Sequence, residues 1–302
     1  MKKSFKSRRR ELISNGFWVN FLGLIPLLWG GILLFMVVWG LNVALGDPMT
    51  YLDKVLEHDL FVGKYTIQNF IDVSEKFMQP VSGSNGVMRW ITYPEMLLNS
   101  LVYSLGCTLP RLVVTTLFSY VTARYEFKGR RFLYAFIMVQ MMIPTYGQDA
   151  AKYKMLSEMN MVDNWLYYIS QGAGHGGLFL IMYAYFKGLP NAYAEAARID
   201  GADPFAVFKS IMLPCAVPII TAQGIMNFIF YWNDYATVMV YQKTHPTLSS
   251  TLYVLRTFMF YIGLQTPTYF AGIFLSIVPV VVLYMIFSGK LMKNVSAGGI
   301  KG

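Results

Sequence analysis

A chain of 302 residues that is 55% hydrophobic and only 14% charged is too apolar for an ordinary water-soluble protein. Several of its apolar runs exceed the roughly 20 residues that cross a bilayer. The formal net charge of +9 does not point to nucleic acid, because the basic residues fall in short segments between apolar runs.

Residues 1–16 carry six Lys/Arg and precede an apolar run at 17–45. That run is nearly twice the roughly 7–15 apolar residues of a cleaved signal peptide, so an uncleaved first span is expected. Residues 46–94 form a polar loop, in which Tyr51, Leu52, Val55, Leu56 and Leu60 fall at helical spacing and predict a short amphipathic helix. A second span is predicted at 96–121, with Pro110 and Arg111 inside it, and the basic segment ARYEFKGRR (123–131) follows. The third span, 132–146, contains MMIP (141–144), where Pro144 marks a break. The fourth, 165–186, includes the glycine-rich GAGHGG (172–177) around His175. A fifth at 212–240, a second polar loop at 241–268 and a sixth span at 269–291 complete the chain.

Threading six spans from a cytoplasmic N-terminus puts sixteen Lys/Arg inside and eight outside, with Arg111 alone within a span. The inner segments are also the shorter ones, in keeping with the positive-inside rule. Both termini, 1–16 and 294–302, and the segment 187–210 are then cytoplasmic, and 46–94 and 241–268 are outer loops.

No catalytic residue, cofactor site or metal site is expected. The sequence has no G-x4-G-K-[ST], no H-E-x-x-H and no C-x-x-C, and Cys107 and Cys215 both lie at or in apolar runs.

The most informative stretch is EAARIDGADPFAVFKSIMLP, residues 195–214. Pro190 and Glu195 suit a helix ending near Ile199, and Gly201 permits a left-handed reversal. Asp203 is placed as the N-cap of a second helix opened by Pro204, and that helix must yield or kink at Pro214. Two short helices joined by a tight corner are predicted, with Ala196 and Ala197 leaving room for another protein's surface. Phe205 and Phe208, at i and i+3, share a predicted face as apolar anchors.

The spacing of Glu195, Ala196, Ala197, Gly201, Ile211, Leu213 and Pro214 resembles the cytoplasmic coupling loop of permease subunits of binding-protein-dependent ABC importers. MMIP, residues 161–164, FKGLPNAYAEAARIDGA, YWNDY (231–235) and the ending SAGGIKG are similar to the carbohydrate branch, in particular to the maltose-type subunit without a large extracytoplasmic insert. The resemblance implies an all-α, six-span permease of the type I importer fold, 17–293, with a coupling loop at 190–214. It implies a multi-pass protein of the inner membrane, a second permease chain, two ATPase subunits that hold ATP and Mg, and an extracytoplasmic binding protein that delivers a carbohydrate. It also implies that the tail 296–302 reaches the ATPase subunits. Ala184 stands where many relatives carry glutamine, and Cys107 and Arg111 have no assigned counterpart.

Tyr231, Trp232, Asn233, Asp234 and Tyr235 offer the aromatic faces and hydrogen-bonding groups a sugar needs. They fit an aromatic belt with a structural acid equally well. Gln140 and Gln171 either line a pathway or bond across helices, and His175 is a packing residue or a ligand. Two other functions stay open: an importer of a non-sugar solute, and an ion-coupled secondary transporter. The latter usually needs several buried acids, and only Asp234 falls within a predicted span.

A side chain and a charge at a turn that needs positive φ strain the corner, so Gly201→Asp is expected to leave the protein inserted but to uncouple transport. Uptake and substrate-stimulated ATP hydrolysis at normal rates in that variant would contradict the assignment.

Overall fold

The computed structural model describes residues 5–83, 86–143, 147–173 and 176–298. Side-chain surroundings are described from residue 21 to residue 287, outside 84–85, 144–146 and 173–175. Pro144, His175 and the last residues of the tail, 299–302, therefore lie outside the described residues.

The chain is mostly helical. Among the described residues four helical stretches are long and apolar enough to cross a membrane: Phe21–Leu45, Tyr93–Arg124, Pro204–Trp232 and Thr266–Phe287. The predicted third and fourth spans take another form. The third is α5 (Arg130–Met142), whose 13 residues reach only about 20 Å at 1.5 Å each. The fourth is divided into α7 (Leu166–Ser170), a 3-10 turn at Gln171–Ala173, and α8 (Gly176–Gly188). The break falls in the glycine-rich run, where backbone entropy disfavours a continuous helix.

Two compact units are present. The first comprises residues up to Val73 together with Met259–Phe274. It holds α1 (Phe5–Leu45), the short α2 (Pro48–Leu56), most of α3 (Gln68–Lys76) and the first turns of α14 (Thr266–Gly298). α2 holds Tyr51, Leu52, Val55 and Leu56 of the predicted amphipathic helix but ends before Leu60, and it begins earlier because the Asp47 carboxylate accepts the Thr50 N–H (3.2 Å) and Pro48 occupies the first turn. Asn69 pins the end of α1. It is 1% exposed, and its amide donates to the carbonyls of Ala44 (2.9 Å) and Gly46 (2.8 Å). Trp39 meets Phe270 edge-on at 5.8 Å.

The second unit is organised on α4 (Tyr93–Arg124). α8, α11 (Leu213–Trp232) and α13 (Leu248–Phe258) pack on it. A β-hairpin not expected from the sequence, β1 (Met78–Ser82) and β2 (Met88–Thr92), leads into α4 in antiparallel register with Pro80 opposite Trp90. The all-α expectation is therefore modified by one small ribbon. α13, within the predicted amphipathic run 248–260, is tied to α4 and the hairpin. The Leu248 N–H donates to Ser100 Oγ (2.8 Å), and the Thr251 hydroxyl donates to Gln79 Oε1 (2.8 Å).

Asn69→Leu leaves two buried carbonyls without their donor, at a cost of about 1–3 kcal/mol. The expected result is a lower melting temperature of the detergent-purified protein; an unchanged melting temperature would remove Asn69 from this role.

Candidate functional site

The 190–214 segment folds from local chemistry. α9 (Asn191–Ile199) starts after Pro190 and ends in a Schellman motif. The Gly201 N–H donates to Arg198 O (3.1 Å), the Ala202 N–H donates to Ala197 O (2.9 Å), and Gly201 has φ +84°. The Asp203 carboxylate then accepts the Ala206 N–H (2.6 Å), and Pro204 opens the short α10 (Pro204–Val207). A π-turn over Phe208–Met212 follows, closed by the Leu213 N–H on Phe208 O. It lies directly before Pro214, which has no N–H for the carbonyl four residues back, and the wider turn absorbs that loss.

Tertiary packing sorts the predicted residues. Ala197, Val207 and Met212 are buried with Tyr120 and Phe186 at the C-terminal ends of α4 and α8. Glu195, Ala196 and Pro214 are exposed, and Ile211 and Leu213 are half-buried. Phe205 and Phe208 do not share a fate. Phe205 is 68% exposed, whereas Phe208 turns inward with its ring 4.7 Å from that of Tyr120. Ile199, 87% exposed beside the corner, extends the free apolar surface and was not singled out by spacing.

Arg124, the last residue of α4, braces the hairpin. Its Nη1 donates to Asn191 Oδ1 (2.5 Å) and its Nη2 to Leu189 O (2.6 Å), with Met212 Sδ at 4.0 Å. In sequence it was one of several charges in an inner basic loop, and only the fold reveals its partners.

The YWNDY residues divide between two environments. Tyr231 and Trp232 are 3% and 5% exposed; Trp232 Nε1 donates to Ser276 O (3.2 Å). α11 ends at Trp232, so Asp234 lies in a helix break rather than inside the predicted span. There it caps α12 (Tyr235–Tyr241), accepting the Thr237 N–H at 3.1 Å and the Tyr103 hydroxyl at 3.0 Å. Asn233 is exposed, and Tyr235 stacks on Tyr253 with centroids 4.6 Å apart.

Gln140 and Gln171 meet across one cleft of about 590 Å³. Arg111, Gln148, Lys152 and Ser170 also line it. Arg111 stands about midway along α4 and donates from Nη1 to the Tyr231 hydroxyl (3.0 Å), while its Nε is buried without a partner. A charge at such depth costs about 2.5–3.5 kcal/mol on insertion scales, which is why it faces a cavity.

A clasp joins 159–165 to 241–245. The Asp163 N–H donates to Tyr241 O (2.7 Å), and its carboxylate accepts the Thr244 N–H (3.0 Å) near His245 Nδ1 (3.6 Å). Burial works to raise the Asp163 pKa, but the His245 and Thr244 hydrogen bonds outweigh it and hold the carboxyl below its usual value.

Spanning helices, a polar cleft at membrane depth and a braced hairpin at one end define a membrane transport component. The family described as binding-protein-dependent transport system inner membrane component matches residues 115–291, over half of the chain, and the chain belongs to that family. The maltodextrin transport system permease protein MdxG of Bacillus subtilis is 29% identical over 208 residues, 68% of this chain and 74% of that protein. The trehalose/maltose transport system permease protein MalG of Thermococcus litoralis is 24% identical over 273 residues, 90% of this chain and 92% of that protein. The match to an ABC transporter permease of Pyrococcus horikoshii, 30% identical over 178 residues, spans 58% of this chain and 60% of that protein. In fold, the chain is similar to a bacterial ABC transporter of known structure that imports the acidic polysaccharide alginate. The TM-score is 0.70 at 16% identity, covering 96% of this chain and 99% of that one.

Phe208→Ala removes a packed ring and is expected to cost about 2 kcal/mol, whereas Phe205→Ala is expected to stay within about 0.5 kcal/mol. Thermal melting of the two purified variants checks the ranking, and equal losses would place both rings in the core.

Proposed function

We propose that this chain is one permease subunit of an ATP-driven importer that moves a carbohydrate, delivered by an extracytoplasmic binding protein, into the cytoplasm. The carrying observation is the family membership joined to a hairpin that is rigid, braced and exposed at its tip. Relatives named for maltodextrin, trehalose/maltose and arabinooligosaccharide transport support the sugar assignment.

The hairpin 190–214 serves as the coupling loop. Glu195, Ala196, Ile199 and Phe205 form its docking surface, and Ala197, Phe208, Ile211 and Leu213 hold it to the spans. Two ATPase subunits bind ATP and Mg; their closure moves the hairpin, and the Arg124 brace passes that displacement to α4. A second permease chain faces this one, and alternating access is the rigid-body reorientation of both. Six passes are retained in this reading, with α5 and the α7–α8 pair as the broken third and fourth. Irregular backbone at membrane depth is tolerated where it is buried in protein or lines a cavity, and Ser170 and Gln171 at the α7–α8 break do line the cleft. Both termini are cytoplasmic in this reading, with the protein in the inner membrane.

Affinity purification of the tagged chain is expected to bring down a second permease and an ATPase. The reconstituted complex should take up sugar only with ATP and its binding protein, regardless of the proton gradient. Uptake by the isolated chain, or uptake that collapses with the gradient but not with ATP depletion, would reject this function.

A further inference from the structure

The cleft beside α4 carries charge of one sign. Of the six polar side chains on its wall, Arg111 and Lys152 are cations, Gln140, Gln148 and Gln171 are amides, and Ser170 is a hydroxyl; no carboxylate lines it. Among the described residues, neither cation is in an ion pair. Arg111 spends one Nη donor on the Tyr231 hydroxyl, and Lys152 lies 5.2 Å from the centre of the Tyr241 ring. Of the nearby acids, Asp234 accepts from Thr237 and Tyr103 and forms no ion pair with either cation, and Asp149, one turn before Lys152 on α6 (Asp149–Glu158), is not on the cleft wall.

Arg111 within the spanning helix α4 and Lys152 on α6 put two cations on one wall with no ion-pair partner among the described residues, and an arginine fork matches a carboxylate bidentately. The amides and the serine hydroxyl suit the hydroxyls of a sugar ring. We propose that this cleft is a subsite for an anionic glycan unit, so that the transported carbohydrate is an acidic oligosaccharide bearing carboxylates. Arg111 and Lys152 hold the carboxylate, and Gln140 and Gln171 orient the ring. The Tyr231 hydroxyl is a positioning group that aims the guanidinium. This rests on the importer reading and narrows it to a substrate class.

The test uses the complete complex, with its partner permease and ATPases, in lipid nanodiscs. Equilibrium binding is measured for tri-galacturonate and for its carboxyl-reduced neutral counterpart. The uronate is expected to bind about tenfold more tightly, with a preference that shrinks as salt rises. Arg111→Gln and Lys152→Gln should each lose most of that preference while leaving neutral-sugar binding within about twofold, and Arg111→Lys should retain part of it. Equal affinity for the two sugars, no binding of either, or an undiminished preference in both glutamine variants overturns the proposal. ATP-driven uptake in proteoliposomes with the binding protein separates the two readings. Uptake of the neutral sugar alone, or of neither sugar, rejects the anionic subsite and leaves the importer standing, whereas uptake that proceeds without ATP and collapses with the proton gradient rejects the importer itself.

Discussion

The close packing of α8 and α11 against α4 is the constraint from which both functional regions follow. Lipid is as apolar as any leucine face, so helices in it associate through close approach and interhelical bonds rather than through hydrophobic burial. α4 meets that requirement with small side chains: Ser100, Ser104, Thr108, Thr115, Ser119 and Thr122 are all buried. Ser119 Oγ donates to Phe179 O on α8 at 3.2 Å. Glycines do the same on both sides. A β-carbon at Gly106 would lie 2.9 Å from the Tyr168 ring, and one at Gly224 on α11 would lie 3.2 Å from Leu112. Along this one helix, Tyr103 reaches Asp234, Arg111 enters the cleft and Arg124 grips the hairpin.

That arrangement has a mechanical meaning. The corner at 200–203 is closed by three hydrogen bonds and a left-handed glycine. Arg124 reaches α9 through Asn191, the preceding loop through Leu189 and the π-turn through Met212, spreading any displacement over three attachments. Tyr185 adds a fourth from α8, its hydroxyl donating to Cys215 O at 2.6 Å. The hairpin is thereby attached to α4, α8 and α11 together.

What the sequence disclosed and what it concealed divide along the same physical line. The corner was legible because Gly201, Asp203 and Pro204 act through their own backbone within a few residues. The long spans were legible because bilayer crossing is a matter of length and apolarity. The different fates of Phe205 and Phe208 were not, because the π-turn that begins at Phe208 departs from the 3.6-residue period on which the i, i+3 argument rests. The ribbon at 78–92 was hidden for another reason: Pro80 sits within a strand and the alternation is weak, so it read as loop. Arg124 and Asn69 were invisible because their partners come from distant parts of the chain or from backbone carbonyls.

Asp234 and Arg111 are kept apart by tyrosines. Tyr103 donates its hydroxyl to Asp234, while Tyr231 accepts from Arg111, and the two rings meet edge-on with centroids 5.9 Å apart. A direct Asp–Arg pair would have neutralised both charges, with its own desolvation penalty, and left a cleft without polarity. With the aromatic pair between them, Asp234 caps α12 and Arg111 lines the cleft. The aromatic pair thereby leaves Arg111 on the cleft wall, without an ion-pair partner among the described residues.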